Sequence, residues 1–253
     1  MTGNLKIIMF LFLVSLRAIY AQTEQPQKIH SHNDYLQKSP FFTAYESGCS
    51  SIEVDVFLKG GKLFATHSES EIIAGRTLEG LYLEPMRNAF ALKSGRTHRL
   101  QLLIDIKSAA KETLQALITC LERYPGLISS DEIIFVVSGN RPPMETYPAY
   151  PSFIKFDYQS LDGLPDKALW EKVALISLDF HQTAAWDGMG SLPRETLDEI
   201  KTIIAKAHRF GKPFRFWGCP DTETAWKFFS DAGVDYINTD RPAACAMYFS
   251  NPH

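Results

Sequence analysis

The chain has no surplus of basic charge. Its 253 residues carry 26 Lys and Arg against 29 Asp and Glu, a formal net charge of −3 with a pI near 6.2, which leaves no basis for nucleic acid or an anionic membrane held by bulk electrostatics. Cysteine is scarce. The four present, Cys49, Cys120, Cys219 and Cys245, show none of the close spacings of a zinc knuckle. No apolar run reaches the roughly 20 residues that cross a bilayer. Nothing repeats at a solenoid period, and no segment is of low complexity.

What is present is ordinary globular composition, 45% hydrophobic and 22% charged, enough for one large core. The N-terminus reads as a cleaved leader over residues 1–21, with Lys6 as its positive start, an apolar run over 7–16, and small residues from Ala18 to Ala21. Arg17 and Ile19 depart from that pattern. The mature chain is expected to start at Gln22, to be exported to the periplasm or the extracellular space, and to form a single domain over 22–253 with no membrane span left after leader removal. Export permits disulfides, and spacing alone does not choose between a pairing of the four cysteines and buried thiols.

Short apolar or alternating runs at 28–32, 51–58, 100–107, 132–138, 153–157, 173–180, 213–217 and 235–238 read as strands. Residues 111–123, 196–210 and 222–232 carry apolar positions at helical spacing, the last stopped by Gly233. Eight strands alternating with helices predict an α/β protein, a (β/α)8 TIM barrel, with an open doubly wound sheet as the alternative. Active sites of such barrels form at the carboxyl ends of the strands, so the long connections 67–98 and 140–151 are expected to build substrate walls.

The strongest chemical signal is Ser51-Ile-Glu-Val-Asp-Val-Phe57. A period of two puts Glu53 and Asp55 on one face and Ile52, Val54 and Val56 on the other. On an inward face two carboxylates repel each other and call for a hard divalent cation; on an outward face they form a solvated edge. Asp105 and Lys107 share a face of another apolar strand, where a charged pair is costly unless paired or metal-bound. His30 and His32 share a face at the end of the first strand, and Gly60-Gly61 turns the chain back toward His67.

These residues carry a family resemblance. The run from Ala44 through Gly48, Glu53 and Asp55 to His67 resembles the glycerophosphodiester phosphodiesterase signature of helix, Gly, Glu-x-Asp strand, hairpin and second histidine. Asp105-Ile-Lys107, Trp217 and Thr239-Asp-Arg-Pro242 are similar to later motifs of the same phospholipase C-like superfamily. His30-Ser-His-Asn-Asp34 stands where His-Arg-Gly is usual, and it looks like the divergent branch named for altered inheritance of mitochondria; the missing arginine removes a bidentate phosphate contact.

The resemblance implies a phosphoric diester hydrolase for a glycerophosphodiester or a lipid-derived small molecule. Glu53, Asp55 and Asp105 would hold one Mg2+ or Ca2+, with His30 and His67 as the acid–base pair. His30 is favoured because it directly follows the apolar strand start; His32, with the same facing, is the alternative, or serves as a phosphate donor or support. Lys107 is expected to stabilise phosphate charge, Asn33 to donate to phosphate or to make a turn, and Trp217 to pack the leaving group or fill the barrel mouth. Arg76 and Arg215 could bind phosphate, with a surface position as the default for each, and Asp240 is expected to order the last loop rather than ligate metal. Two rival readings are a zinc hydrolase of the amidohydrolase type, using His30, His32, His181 and Asp240, and a non-catalytic barrel that binds phosphate or sugar ligands.

Overall fold

The computed structural model describes residues 27–91 and 99–251. The expected leader, residues 1–21, lies outside the described residues. Nine strands are described: β1 (Lys28–Ser31), β2 (Ser51–Lys59), β3 (Lys62–Ala65), β4 (Leu100–Ile106), β5 (Ile133–Gly139), β6 (Ile154–Tyr158), β7 (Val173–Asp179), β8 (Phe214–Trp217) and β9 (Tyr236–Thr239). Eight of them pair parallel in a ring, closed by β1 lying between β9 and β2. This is the (β/α)8 barrel expected from the alternation, and the closure excludes the open sheet. Only β3 is antiparallel; it returns along β2 from the Gly60–Gly61 turn, where both residues have positive φ.

Alternation along each strand separates two environments. Outward residues such as Ile52, Val54, Val56, Leu102, Ile104 and Ile106 are fully buried in the main core, where the helices cover the sheet. At roughly 1.5–3 kcal/mol for each buried aliphatic side chain, this layer is the main source of stability. Inward residues form a small apolar plug, Leu103, Val136, Leu175 and Tyr236, and otherwise polar side chains.

The helices Ala110–Leu121, Arg194–Arg209 and Glu223–Ala232 lie within two residues of the sequence expectation. Thr222 is the cap of the last one, its hydroxyl accepting from Ala225 N at 3.1 Å, and Gly233 ends it in the left-handed conformation. Pro242–Ser250 is a further helix whose run of small and apolar residues gave no periodic signal. The connection after His67 is not an open loop. It contains the helical turns Glu79–Leu83 and Glu84–Ala91, with Leu78, Tyr82, Leu83 and Met86 fully buried. In the 140–151 connection, Tyr147 is buried and stacks on Phe156 with ring centroids 3.6 Å apart. No disulfide joins the four cysteines, and Cys49, Cys120 and Cys245 are buried. No described helix is long and apolar enough to cross a membrane.

Candidate active site

The carboxyl ends of β1, β2, β4, β5 and β8 surround a cavity of about 560 Å³ lined by His32, Asn33, Glu53, His67, Asp105, Lys107, Ser138, Asn140, Gln159, Arg215 and Trp217. Asp55 and Asp105 are lateral partners on β2 and β4. Glu53, Asp55 and Asp105 each bring one oxygen within 4.8 Å of the other two. At that separation each pair of like charges repels by about 3–4 kcal/mol at an effective dielectric of about 20. Lys107 answers part of this, 3.1 Å from Asp105 Oδ2 and 3.5 Å from Asp55 Oδ1.

Each of the three carboxylates spends one oxygen on the protein. Glu53 Oε2 accepts from His30 at 2.7 Å and from Arg215 at 2.8 Å. Asp55 Oδ2 accepts from His67 Nδ1 at 2.8 Å and from the Tyr35 hydroxyl at 3.0 Å. Asp105 Oδ2 faces Lys107. The other oxygens of the two aspartates, Asp55 Oδ1 and Asp105 Oδ1, are buried with no hydrogen-bond partner, a cost of about 1–3 kcal/mol each unless a ligand satisfies them. Burial pushes the Asp105 carboxyl up to about 6, with the charge of Glu53 adding to the effect and Lys107 opposing it. Burial also raises Asp55 against the pull of Lys107. Burial acts upward on Glu53 as well, but the His30 hydrogen bond and the Arg215 charge outweigh it and hold it well below the usual carboxylate range. An all-oxygen donor set with unsatisfied buried atoms fits Mg2+ or Ca2+.

Gly139 is a condition of this arrangement. Its φ is +67°, and a Cβ there would lie 1.8 Å from Asp105 Oδ1, so the carboxylate has its place because glycine has no side chain.

The two histidines of β1 have opposite surroundings. His30 is 0% exposed, its Nδ1 2.7 Å from Ser51 Oγ and its Nε2 2.7 Å from Glu53. Burial, then the Arg215 charge, push it down to about 3 against the influence of Glu53. With both ring nitrogens engaged and no exposed surface, it has no route to a substrate, contrary to the expectation drawn from its place after the strand. His32 has a side chain 30% exposed on the cavity wall, with Nδ1 2.7 Å from Asp240 Oδ1 and Nε2 3.8 Å from Glu53 Oε1. Burial acts downward on it, but the Asp240 hydrogen bond and the Glu53 charge prevail and leave it above its ordinary 6.5. His67 stands at the rim, with Asp55 on its Nδ1.

Asn33 takes a left-handed conformation, φ 47°, that suits asparagine and turns the chain just after His32. The turn is anchored by buried Asp34, which accepts from Phe41 N at 2.6 Å, Ser31 Oγ at 2.9 Å and the Tyr82 hydroxyl at 3.0 Å. Trp217 lines the cavity with its Nε1 buried and unpaired. Arg215, taken from the sequence as a surface residue, is 3% exposed and lies inside the barrel. The alternation Phe214-Arg215-Phe216-Trp217 was the available signal, since it pairs Arg215 with Trp217 on one face. Asp157, which receives Ser138 Oγ at 2.9 Å and Ser177 Oγ at 2.6 Å inside the barrel, had the same kind of signal, as it shares with Lys155 the charged face of Ile154-Lys-Phe-Asp157. Arg76 donates to the Tyr35 carbonyl rather than reaching the cavity. A groove of about 880 Å³ with an apolar wall of Phe57, Met144 and Tyr158 adjoins the cavity through Lys107, Gly139, Asn140 and Gln159.

The chain, a parallel barrel with three converging carboxylates, a lysine and two cavity histidines at its carboxyl end, resembles the glycerophosphodiester phosphodiesterase-like superfamily. Within it the resemblance is to the divergent branch of the altered inheritance of mitochondria proteins. Residues 20–98 match the AIM6-like phosphodiesterase domain, and residues 213–243 match the glycerophosphoryl diester phosphodiesterase family. The chain is 27% identical over 266 residues to the altered inheritance of mitochondria protein 6 homolog of Arthroderma benhamiae, covering 88% of this chain and 84% of the relative. It is 26% identical to the altered inheritance of mitochondria protein 6 of Eremothecium gossypii, over 84% and 67% of the two chains. In fold it is similar to a glycerophosphodiester phosphodiesterase from Parabacteroides distasonis, with a TM-score of 0.57 at 13% identity over 88% of this chain and 96% of that one. It is also similar to an Oleispira antarctica phosphodiesterase solved with the product sn-glycerol-3-phosphate, with a TM-score of 0.54 at 14% identity over 89% and 98%.

Proposed function

We propose that the chain is a divalent-cation-dependent phosphoric diester hydrolase acting on a glycerophosphodiester or another small, lipid-derived diester. The observation that carries this reading is the division of labour among Glu53, Asp55 and Asp105. Their oxygens converge, and the two aspartates each leave one buried oxygen without a hydrogen-bond partner beneath a cavity edged by two histidines. Glu53, Asp55 and Asp105 would hold one Mg2+ or Ca2+, which supplies charge neutralisation at the phosphoryl oxygens.

The protein's own groups supply the rest. Lys107 and Arg215 place positive charge on the cavity wall, where a phosphodiester gains negative charge as its alcohol leaves. His32 and His67 are the proton-transfer pair, His32 oriented by Asp240 and His67 by Asp55, so each keeps Nε2 for the reaction. One takes the proton of the attacking hydroxyl, from water or from a neighbouring substrate group, and the other protonates the departing oxygen. Asn33 donates to phosphate, and Trp217 packs the leaving group where the adjoining groove gives it room. The zinc alternative loses support because His30 has no nitrogen left for a metal and His181, 71% exposed, bonds Asp179. Residues 1–21 acting as a cleaved leader, and so export, belong to the same proposal; the N-terminal sequence of the mature protein tests that part.

The test is hydrolysis of a phosphodiester panel with Mg2+, Ca2+, Zn2+ or a chelator, beside Glu53→Gln, His32→Ala and His67→Ala. Turnover with Mg2+ or Ca2+ that stops on chelation is expected, with Glu53→Gln losing cation binding and each histidine variant losing about 10²–10⁴-fold in kcat. Intact fold and cation binding with no turnover of any diester would instead establish a ligand-binding barrel.

A further inference from the structure

His30 is buried, its ring is fully engaged, and the reaction described above does not use it. Its surroundings form a continuous line across the barrel interior. Gln101 on β4, Ser51 on β2, His30 on β1 and Asn238 on β9 are successive lateral partners in the ring. Gln101 Nε2 donates to Ser51 Oγ at 2.8 Å. A serine hydroxyl has a single hydrogen, and here its remaining neighbour is His30 Nδ1 at 2.7 Å.

The far end of the line agrees. His30 Nε2 lies 2.7 Å from Glu53 Oε2, and an ionised carboxylate only accepts. Arg215 Nη1 also lies against His30 Nε2. It has two hydrogens, however, and two oxygen acceptors within reach to take them: Glu53 Oε2 at 2.8 Å and Asn238 Oδ1 at 3.2 Å. The hydrogen between His30 and Glu53 therefore belongs to the imidazole.

We propose that His30 is a positioning residue, locked by the chain Gln101→Ser51→His30 with its hydrogen on Nε2, so that Glu53 Oε2 stays in the buried network and Oε1 is presented to the cation. This rests on Glu53 being a cation ligand, as in the proposed function, and adds the device that aims it. Residues that orient a ligand in this way typically change metal affinity by about 10–100-fold when removed.

Two substitutions separate orientation from simple packing. Ser51→Ala cuts the chain. Gln101→Glu replaces a donor by an acceptor of the same shape, so the Ser51 hydrogen turns toward residue 101 and His30 must carry a hydrogen on Nδ1. The experiment is 15N NMR of the histidine rings in the cation-free full chain, with Mg2+ and Ca2+ affinity by titration calorimetry on the same samples. The expected result is a wild-type His30 with Nε2 protonated and Nδ1 bare, Nδ1 protonated in Gln101→Glu, and cation affinity about tenfold weaker or more in both variants. A wild-type ring protonated on Nδ1 alone overturns the proposal, as does unchanged affinity in folded Ser51→Ala. Wild type that binds neither cation sinks the functional reading, and the positioning role with it, whereas a wrong tautomer or unaffected variants sink the positioning role alone.

Discussion

The two faces of β2 and β4 follow different rules although they share the same backbone. Outside, Ile52, Val54, Val56, Ile104 and Ile106 meet the helices in a layer where shape and volume decide the energy. Inside, Ser51, Glu53, Asp55, Gln101 and Asp105 meet one another, and donor direction and charge decide it. The outer face can lose a methyl group and remain itself. The inner face has no equivalent tolerance, because its buried polar groups bond one another and Asp55 Oδ1 and Asp105 Oδ1 stand without a hydrogen-bond partner.

The sharpest way to break the inner face is Gly139→Ala. The new Cβ takes the place of Asp105 Oδ1 in a backbone of positive φ. Cation affinity measured by calorimetry is expected to fall about 10–100-fold, with a stability loss of about 1–3 kcal/mol in denaturant unfolding. Unchanged affinity would mean that Asp105 is not a ligand. A milder perturbation is Asp240→Asn at the rim. Asp240 helps hold His32 above its ordinary pKa, so its loss moves the limb of the pH–rate profile that reports His32 to lower pH, whether His32 acts as acid or as base. Because the Asp240 side chain is 62% exposed, the accompanying loss in kcat is expected to be roughly two- to five-fold. The smallest effect belongs to the outer face. Ile104→Val should cost about 0.5–1.5 kcal/mol in unfolding and leave cation affinity and kcat unaltered. A change in either would show that the two faces are coupled.

The barrel and its strands were legible in the sequence because a fully apolar outer face is repeated on strand after strand, and periodicity reports that directly. Glu53, Asp55, Asp105 and Lys107 were legible for the converse reason, as charges interrupting apolar strands. The depth of each residue was not. His30 and His32 have the same facing, and only the pairing of β1 with β2 and β9 decides that one is sealed beneath Glu53 while the other reaches the cavity. Arg215 was missed because an arginine is far more often on the surface, although its strand pattern placed it beside Trp217. Gly139 acts through close approach to Asp105 on another strand, which one-dimensional patterns do not carry.

The ring closes where the first strand meets the last, and this gives the site an order of assembly. By residue 107 a growing chain has delivered His32, the three carboxylates, His67 and Lys107. Arg215, Trp217 and β9 are made much later, and Asp240, which bonds His32 across 208 residues of sequence, follows β9. A nascent chain still on the ribosome thus holds most of the reactive groups without the wall that seals His30 or the partner that orients His32. Competence is reached only once β9 and Asp240 have been made, and a chain truncated before β9 retains the acidic cluster but not the finished machine.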